Sequence, residues 1–216
     1  MLQAVLLDVD GTLGETIPIC VEAFQEAIAA LSGRELGMAE IVARFGPSEE
    51  GVIREELPDR YPEGMDRFVE SFRRLLVEKC PRPFPGVTEL LSSLRQAGVK
   101  LAVVTGKGPR SCAIALEQFG LSSFFPVVET GSPRGPEKEL GIARALERLG
   151  VAGAGAAYVG DAPSDIKAAR LAGVRALAAA WSRHADPAAL EKAGPDSLFT
   201  SVAAGEKYFQ VDLGLA

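Results

Sequence analysis

Between residues 87 and 179 the chain changes its hydrophobic period with a regularity that few folds can accommodate. Helix-spaced apolar stripes over 87–97, 110–119, 137–149 and 164–172 alternate with short, continuous apolar runs over 99–104, 125–128, 156–159 and 175–179. A continuous apolar run has no side suited to water, so each predicts a strand buried on both faces. Strands alternating with helices predict a parallel sheet with helices on both faces, an α/β fold of Rossmann-like type. Gly98, Gly120, Gly150 and Gly173 each stand where one of these helices must stop. A further apolar run over 3–9 predicts the first strand, and it runs directly into two aspartates and a glycine.

Residues 16–79 have a different texture. Ile19, Ala23, Phe24, Ala27, Ile28 and Leu31 recur at helical spacing, as do Phe68, Phe72, Leu75 and Leu76, and no strand pattern intervenes. The expected organisation is an α/β core of residues 1–14 and 81–216, with an all-helical module, residues 15–80, inserted after the first strand. Glu15-Thr16 and the rigid run Pro81 to Pro85 mark the two crossings and read as a hinge.

Composition removes several function classes. The net charge of −6 offers no basic face for a nucleic-acid backbone, so no nucleic-acid partner is expected. Residues 15–78 carry 14 acidic and 7 basic side chains, so the acidity sits in the helical insert. No stretch approaches the roughly 18 apolar residues of a membrane span, so no membrane partner is expected. The three cysteines lack the spacing of a zinc site or a disulfide framework, and the opening apolar run is too short for a secretion signal. A reducing, cytoplasmic setting is expected. Nothing in the sequence specifies an oligomer.

Three polar clusters fall at the ends of expected strands: Asp8-Val9-Asp10-Gly11-Thr12, Thr105-Gly106-Lys107, and Gly160-Asp161-Ala162-Pro163-Ser164-Asp165. Taken singly, each is a turn or a helix cap. Their convergence at the carboxyl ends of parallel strands, where open α/β sheets bind ligands, points to a site. Asp8 and Asp10 are two apart on an extended segment, so both can face it. With Asp161 they form an oxygen-only cluster suited to Mg²⁺ that keeps waters and a substrate phosphate. Gly11, Gly106 and nearby helix N-termini offer backbone N–H groups to phosphate oxygens.

DVDGTL, VVTGK and GDAPSD, in this order, resemble motifs I, II and IV of the haloacid dehalogenase superfamily. The helical insert resembles its C1 cap, and PFPGVTELLSSLRQAG with the GP of RFGPSEE resembles the phosphoglycolate phosphatase-like branch. The resemblance implies a Mg²⁺-dependent phosphatase acting on small-molecule phosphate esters. Asp8 would be the nucleophile and Asp10 the acid and base. Asp8, the Asp10 carbonyl and Asp161 would hold the metal, with Asp165 as ligand or support. Thr105 would contact the transferring phosphoryl group, and Asp10 sets the chain apart from the dehalogenases, which lack it.

The family's third motif is where the sequence departs. A lysine before Pro-x-Pro is usual, whereas the text here is SPRGPEKEL, which leaves Arg134 and Lys138 as candidates. Lys138, at the start of the expected helix, is the choice; Lys107 is a further possible phosphate contact, though a lysine after a strand is commonly solvated. Substrate selectivity is expected near Gly46, Pro47 and Ser48, with Arg44 close by. A sugar-phosphate mutase and a non-catalytic pseudo-phosphatase are the competing readings. The absence of lysine from 14 to 78 disfavours the first, and the intact aspartates disfavour the second.

Overall fold

The computed structural model describes residues 2–215. Six strands, β1 (Ala4–Leu7), β2 (Lys100–Val104), β3 (Val127–Glu129), β4 (Ala156–Gly160), β5 (Arg175–Ala179) and β6 (Ser197–Phe199), form one parallel sheet. Their order is β3-β2-β1-β4-β5-β6. In β1, Leu7 lies beside Val103 on one flank and Val159 on the other. The chain therefore builds outward from β1 on one side and then on the other. The reversal leaves a crevice at the carboxyl ends of β1, β2 and β4.

The period of two along a strand divides its side chains between two cores. Val5 and Leu7 join Leu101, Val103, Ala157 and Val159 on the face covered by α5 (Val87–Gln96), α6 (Pro109–Gln118) and α10 (Val202–Asp212). Ala4 and Leu6 join Ala102, Val104 and Tyr158 on the face covered by α7 (Lys138–Leu149), α8 (Pro163–Leu171) and α9 (Pro187–Ala193). All four expected stop glycines have positive φ, and Gly150 caps α7 in the left-handed conformation at 64°.

Two features differ from the sequence reading. The run 125–128 begins as a strand only at Val127, because Ser122–Phe124 form a 3₁₀ turn and Pro126 has no N–H for a ladder. β6 and α9–α10 follow the last element read from the sequence. β6 is a three-residue edge strand, and its half-buried residues are too few to show a period.

Between β1 and α5 lie α1 (Ile17–Ser32), α2 (Met38–Val42), α3 (Glu49–Glu56) and α4 (Tyr61–Lys79), with a 3₁₀ turn at Pro58–Arg60. This all-helical insert is a cap over the sheet's carboxyl edge. Its α1 stripe packs on Phe68 and Phe72 of α4, with the Phe24 and Phe68 ring centroids 4.5 Å apart. Each such buried ring contributes about 1.5–3 kcal/mol. The returning chain is tied to the departing one where Phe84 N–H donates to the Leu13 carbonyl at 2.9 Å. Glu15 accepts from Ser182 Oγ at 2.8 Å and from the Arg183 N–H at 3.1 Å, which anchors the outgoing crossing to the loop after β5. His184, in that loop, has Nε2 4.0 Å from Glu15 and does not line the cavity described below.

Candidate active site

A cavity of about 640 Å³ lies between the cap and the carboxyl ends of the strands, with Asp8, Asp10, Thr105, Lys138 and Asp161 in its wall. Asp8 follows β1 directly and is buried. Its Oδ1 accepts the Val9 N–H at 2.6 Å, and its Oδ2 faces Lys138 Nζ at 2.5 Å. Gly11 allows the turn that follows to press against β4, since a Cβ there would collide with the Asp161 carboxylate. Its N–H is spent on the Gly14 carbonyl at 2.9 Å, so Gly11 is a spacer and not the phosphate donor expected from sequence.

Lys138 opens α7 and bridges Asp8 and Asp165. Burial alone would pull its ammonium toward neutrality, but Asp165 and Asp8 outweigh that and hold its pKa well above the ordinary lysine value. Arg134 points outward, with 83% of its side chain exposed, and pairs with Glu137. Of the two cations that sequence offered, the fold brings Lys138 to Asp8 and turns Arg134 to solvent.

Asp161 follows β4, and Asp165 sits in the first turn of α8, where its Oδ2 caps the Ala162 N–H at 3.1 Å. Each of Asp8, Asp161 and Asp165 offers an oxygen within 4.8 Å of the others, and all three are buried. Burial pushes the Asp161 carboxyl well up, with Asp165 and Asp8 adding repulsion. Burial also raises Asp165, against the pull of Lys138. One lysine does not balance three buried carboxylates. A hard divalent cation does, and an all-oxygen donor set suits Mg²⁺. The residues present therefore fit such an ion.

Asp10 faces elsewhere. Thr16 Oγ1 donates to its Oδ1, and Lys107 Nζ lies 3.2 and 3.4 Å from its two oxygens. Its carboxylate thus stays outside the three-aspartate cluster, leaving only its carbonyl for a metal. Burial raises the Asp10 pKa, opposed by Lys107. Thr105 is buried at the end of β2, and its Oγ1 accepts the Lys107 N–H at 3.3 Å. Gly106 lines the cavity beside it.

Lys107 is not the solvated lysine that commonly follows a strand. Its side chain is fully buried, its Nζ is 3.3 Å from Glu49 Oε1, and it lies 4.4 Å from the centre of the Phe72 ring. Burial works against its charge, yet Asp10, with Cys20 and Glu49, holds its pKa well above the ordinary value. Its ammonium is enclosed by these partners, which turns it to Asp10 and to Glu49 of the cap.

Glu49 is the residue that sequence reasoning missed. From the first turn of α3 it reaches the core, accepting from the Gly108 N–H and from Ser111 Oγ at 2.6 Å. A carboxylate just after an N-cap reads as a helix-dipole partner, so its position carried no separate signal. Arg44 and Ser48 do not line the cavity. Arg44 is drawn outward by Glu56 and the Glu40 carbonyl. Ser48 is the N-cap of α3, where its extended backbone turns Oγ to Glu50 at 2.7 Å and its N–H to the Ser132 carbonyl at 2.9 Å. Pro47 and Glu49, its neighbours, face the cavity in its place. The cysteines are buried, and burial pushes the Cys112 thiol up to about 12, which leaves it inert as a nucleophile.

Residues 5–179 match the family model described as haloacid dehalogenase-like hydrolase. A phosphoglycolate phosphatase from Synechococcus elongatus is 30% identical over 204 residues, covering 91% of this chain and 92% of its own length. A phosphoglycolate phosphatase from Aquifex aeolicus is 28% identical over 185 residues, covering 83% and 85%. Among solved structures, CbbY from Rhodobacter sphaeroides in complex with phosphate superposes with a TM-score of 0.75 at 25% identity, covering 94% of this chain and 96% of that one.

Proposed function

The chain belongs to the haloacid dehalogenase-like hydrolases, and from that premise we propose that it hydrolyses small phosphate monoesters with Asp8 as nucleophile and Mg²⁺ as cofactor. The observation that carries this is the placement of Asp8 in a cavity wall beside one half-buried cation, Lys138, and two further buried carboxylates. The names of the phosphoglycolate phosphatases and the phosphate held by CbbY support a phosphate ester as the substrate.

In this reading the phosphoryl group sits against Asp8, the Thr105 hydroxyl and the Lys138 ammonium. An Asp8 oxygen attacks phosphorus as the bond to the leaving oxygen breaks, giving an aspartyl-phosphate. Burial keeps a proton on Asp10 more readily than on an ordinary carboxyl, and that proton goes to the leaving alkoxide. Asp10, now a carboxylate, takes a proton from the water that attacks the aspartyl-phosphate, which releases phosphate and restores both residues. Lys138 offsets the charge that spreads over the phosphoryl oxygens. Bound Mg²⁺, held by Asp8, Asp161 and Asp165, would supply further charge neutralisation at those oxygens. The cap, residues 15–80, acts as a lid that keeps bulk water from the intermediate, and its acidity turns polyanions away.

The test is phosphate release from p-nitrophenyl phosphate with Mg²⁺, for the native chain and for Asp8→Asn. Turnover is expected in the first and none in the second, with unchanged thermal unfolding. Equal rates in the two proteins would remove Asp8 from the chemistry.

A further inference from the structure

Resting on that reading, we propose that the leaving group is uncharged and largely apolar, not one that bears a carboxylate or a second phosphate. The cap side of the cavity is built from Ile17, Cys20, Phe24, Phe45, Pro47 and Val52. These side chains offer van der Waals contact and exclude water, and they provide no donor to an anion. The charged cap residue on this wall is Glu49, a carboxylate already held by Lys107, Ser111 and the Gly108 N–H.

The cavity's other charges point the same way. Its wall carries the carboxylates Asp8, Asp10, Glu49, Glu137, Glu139 and Asp161. The lysines that line it are Lys107, Lys138 and Lys167. Lys107 is enclosed by Asp10, Glu49 and Phe72, and Lys138 is committed to Asp8 and Asp165. Lys167 is exposed on α8, on the core side. The N-terminus of α3 also meets the cavity, but Glu49 and Glu50 in its first turn already take up the positive end of that helix. A second anionic group carried on the leaving group toward the cap would therefore lose its water beside apolar rings and a carboxylate, with no cation on that wall to receive it. An alkyl or aryl group of modest size meets no such penalty and fills the apolar wall.

The experiment measures kcat/KM for n-propyl phosphate, phenyl phosphate and phosphoglycolate under identical Mg²⁺ and salt. The neutral esters are expected to exceed phosphoglycolate by about tenfold or more, tenfold being the low end of what an unpaired polar group costs on burial. Phe45, half-exposed on the cap wall, can be changed with little risk to folding. Phe45→Arg places a cation there and is expected to move the ratio toward phosphoglycolate by about tenfold. Phosphoglycolate turned over as well as propyl phosphate would overturn this inference and leave the phosphatase reading standing. A ratio unmoved in Phe45→Arg would overturn it too, because the wall would not face the leaving group. No phosphate release from any ester would overturn the phosphatase reading itself.

Discussion

Lys138, half-buried, and Lys107, fully buried, face different partners in one cavity. Lys138 touches Asp8, the proposed nucleophile, so in that reading its loss removes charge stabilisation from the transferring group. Lys138→Ala is expected to lower kcat by about 100-fold or more, the scale of removing one fixed electrostatic partner. Single-turnover rates with p-nitrophenyl phosphate measure it, and Arg134→Ala, which alters only an exposed pair, serves as the control. Lys107 is instead a structural cation between Asp10 and the cap's Glu49. Lys107→Met keeps the apolar stem against Phe72 but leaves the buried Glu49 and the half-buried Asp10 without their counter-charge. That loss is expected to destabilise the protein by about 3–5 kcal/mol in urea unfolding. A midpoint equal to the native one would show that the pairing contributes nothing.

At the scale of elements, the aim of Lys138 depends on how α7 sits against β3. Glu129, at the end of β3, accepts from Arg144 Nε at 2.8 Å and from Arg148 Nη1 at 2.9 Å. Burial would raise the Glu129 pKa, but these two guanidinium groups outweigh it and hold the carboxyl below its ordinary value. A carboxyl depressed in the folded state adds stability that is present above its unfolded pKa, near 4.3, and is lost as pH falls through the folded value. Both arginines are about half exposed, so screening keeps each pair to about 1 kcal/mol at most. Glu129→Gln should therefore lower the melting temperature at pH 7, and the gap should close as the pH drops below about 4. Calorimetric scans at a series of pH values test this, and a gap that persists at pH 3 would assign the effect to packing.

For the whole molecule, the cluster of Asp8, Asp161 and Asp165 sets folding against function. Three buried like charges destabilise the free protein, and an ion that binds only the folded state returns that stability. At a Mg²⁺ concentration 100 times its dissociation constant, the gain is about 2.7 kcal/mol. The melting temperature is expected to rise with Mg²⁺ and fall back on chelation, without any substrate present. Asp161→Ala should melt higher than the native chain in chelator and lose most of the Mg²⁺ response. If Mg²⁺ leaves the native melting temperature unchanged, the cluster does not hold it.

The period of the apolar residues determined, from sequence alone, a parallel sheet covered on both faces and a helical insert after its first strand, because burial on two faces and burial on one face leave different spacings. Asp8, Asp10, Thr105 and Asp161 were legible as a group because each stands within a few residues of a strand end, and parallel strands bring those ends together. What the period cannot state is which of several like side chains a fold turns inward. Lys138 faces Asp8 across 130 positions while Arg134 faces water, and Glu49 reaches the core while Ser48 turns its hydroxyl to Glu50 and Arg44 is drawn to Glu56. Each of those choices follows from long-range pairing and desolvation, which exist only once the cap has closed on the sheet.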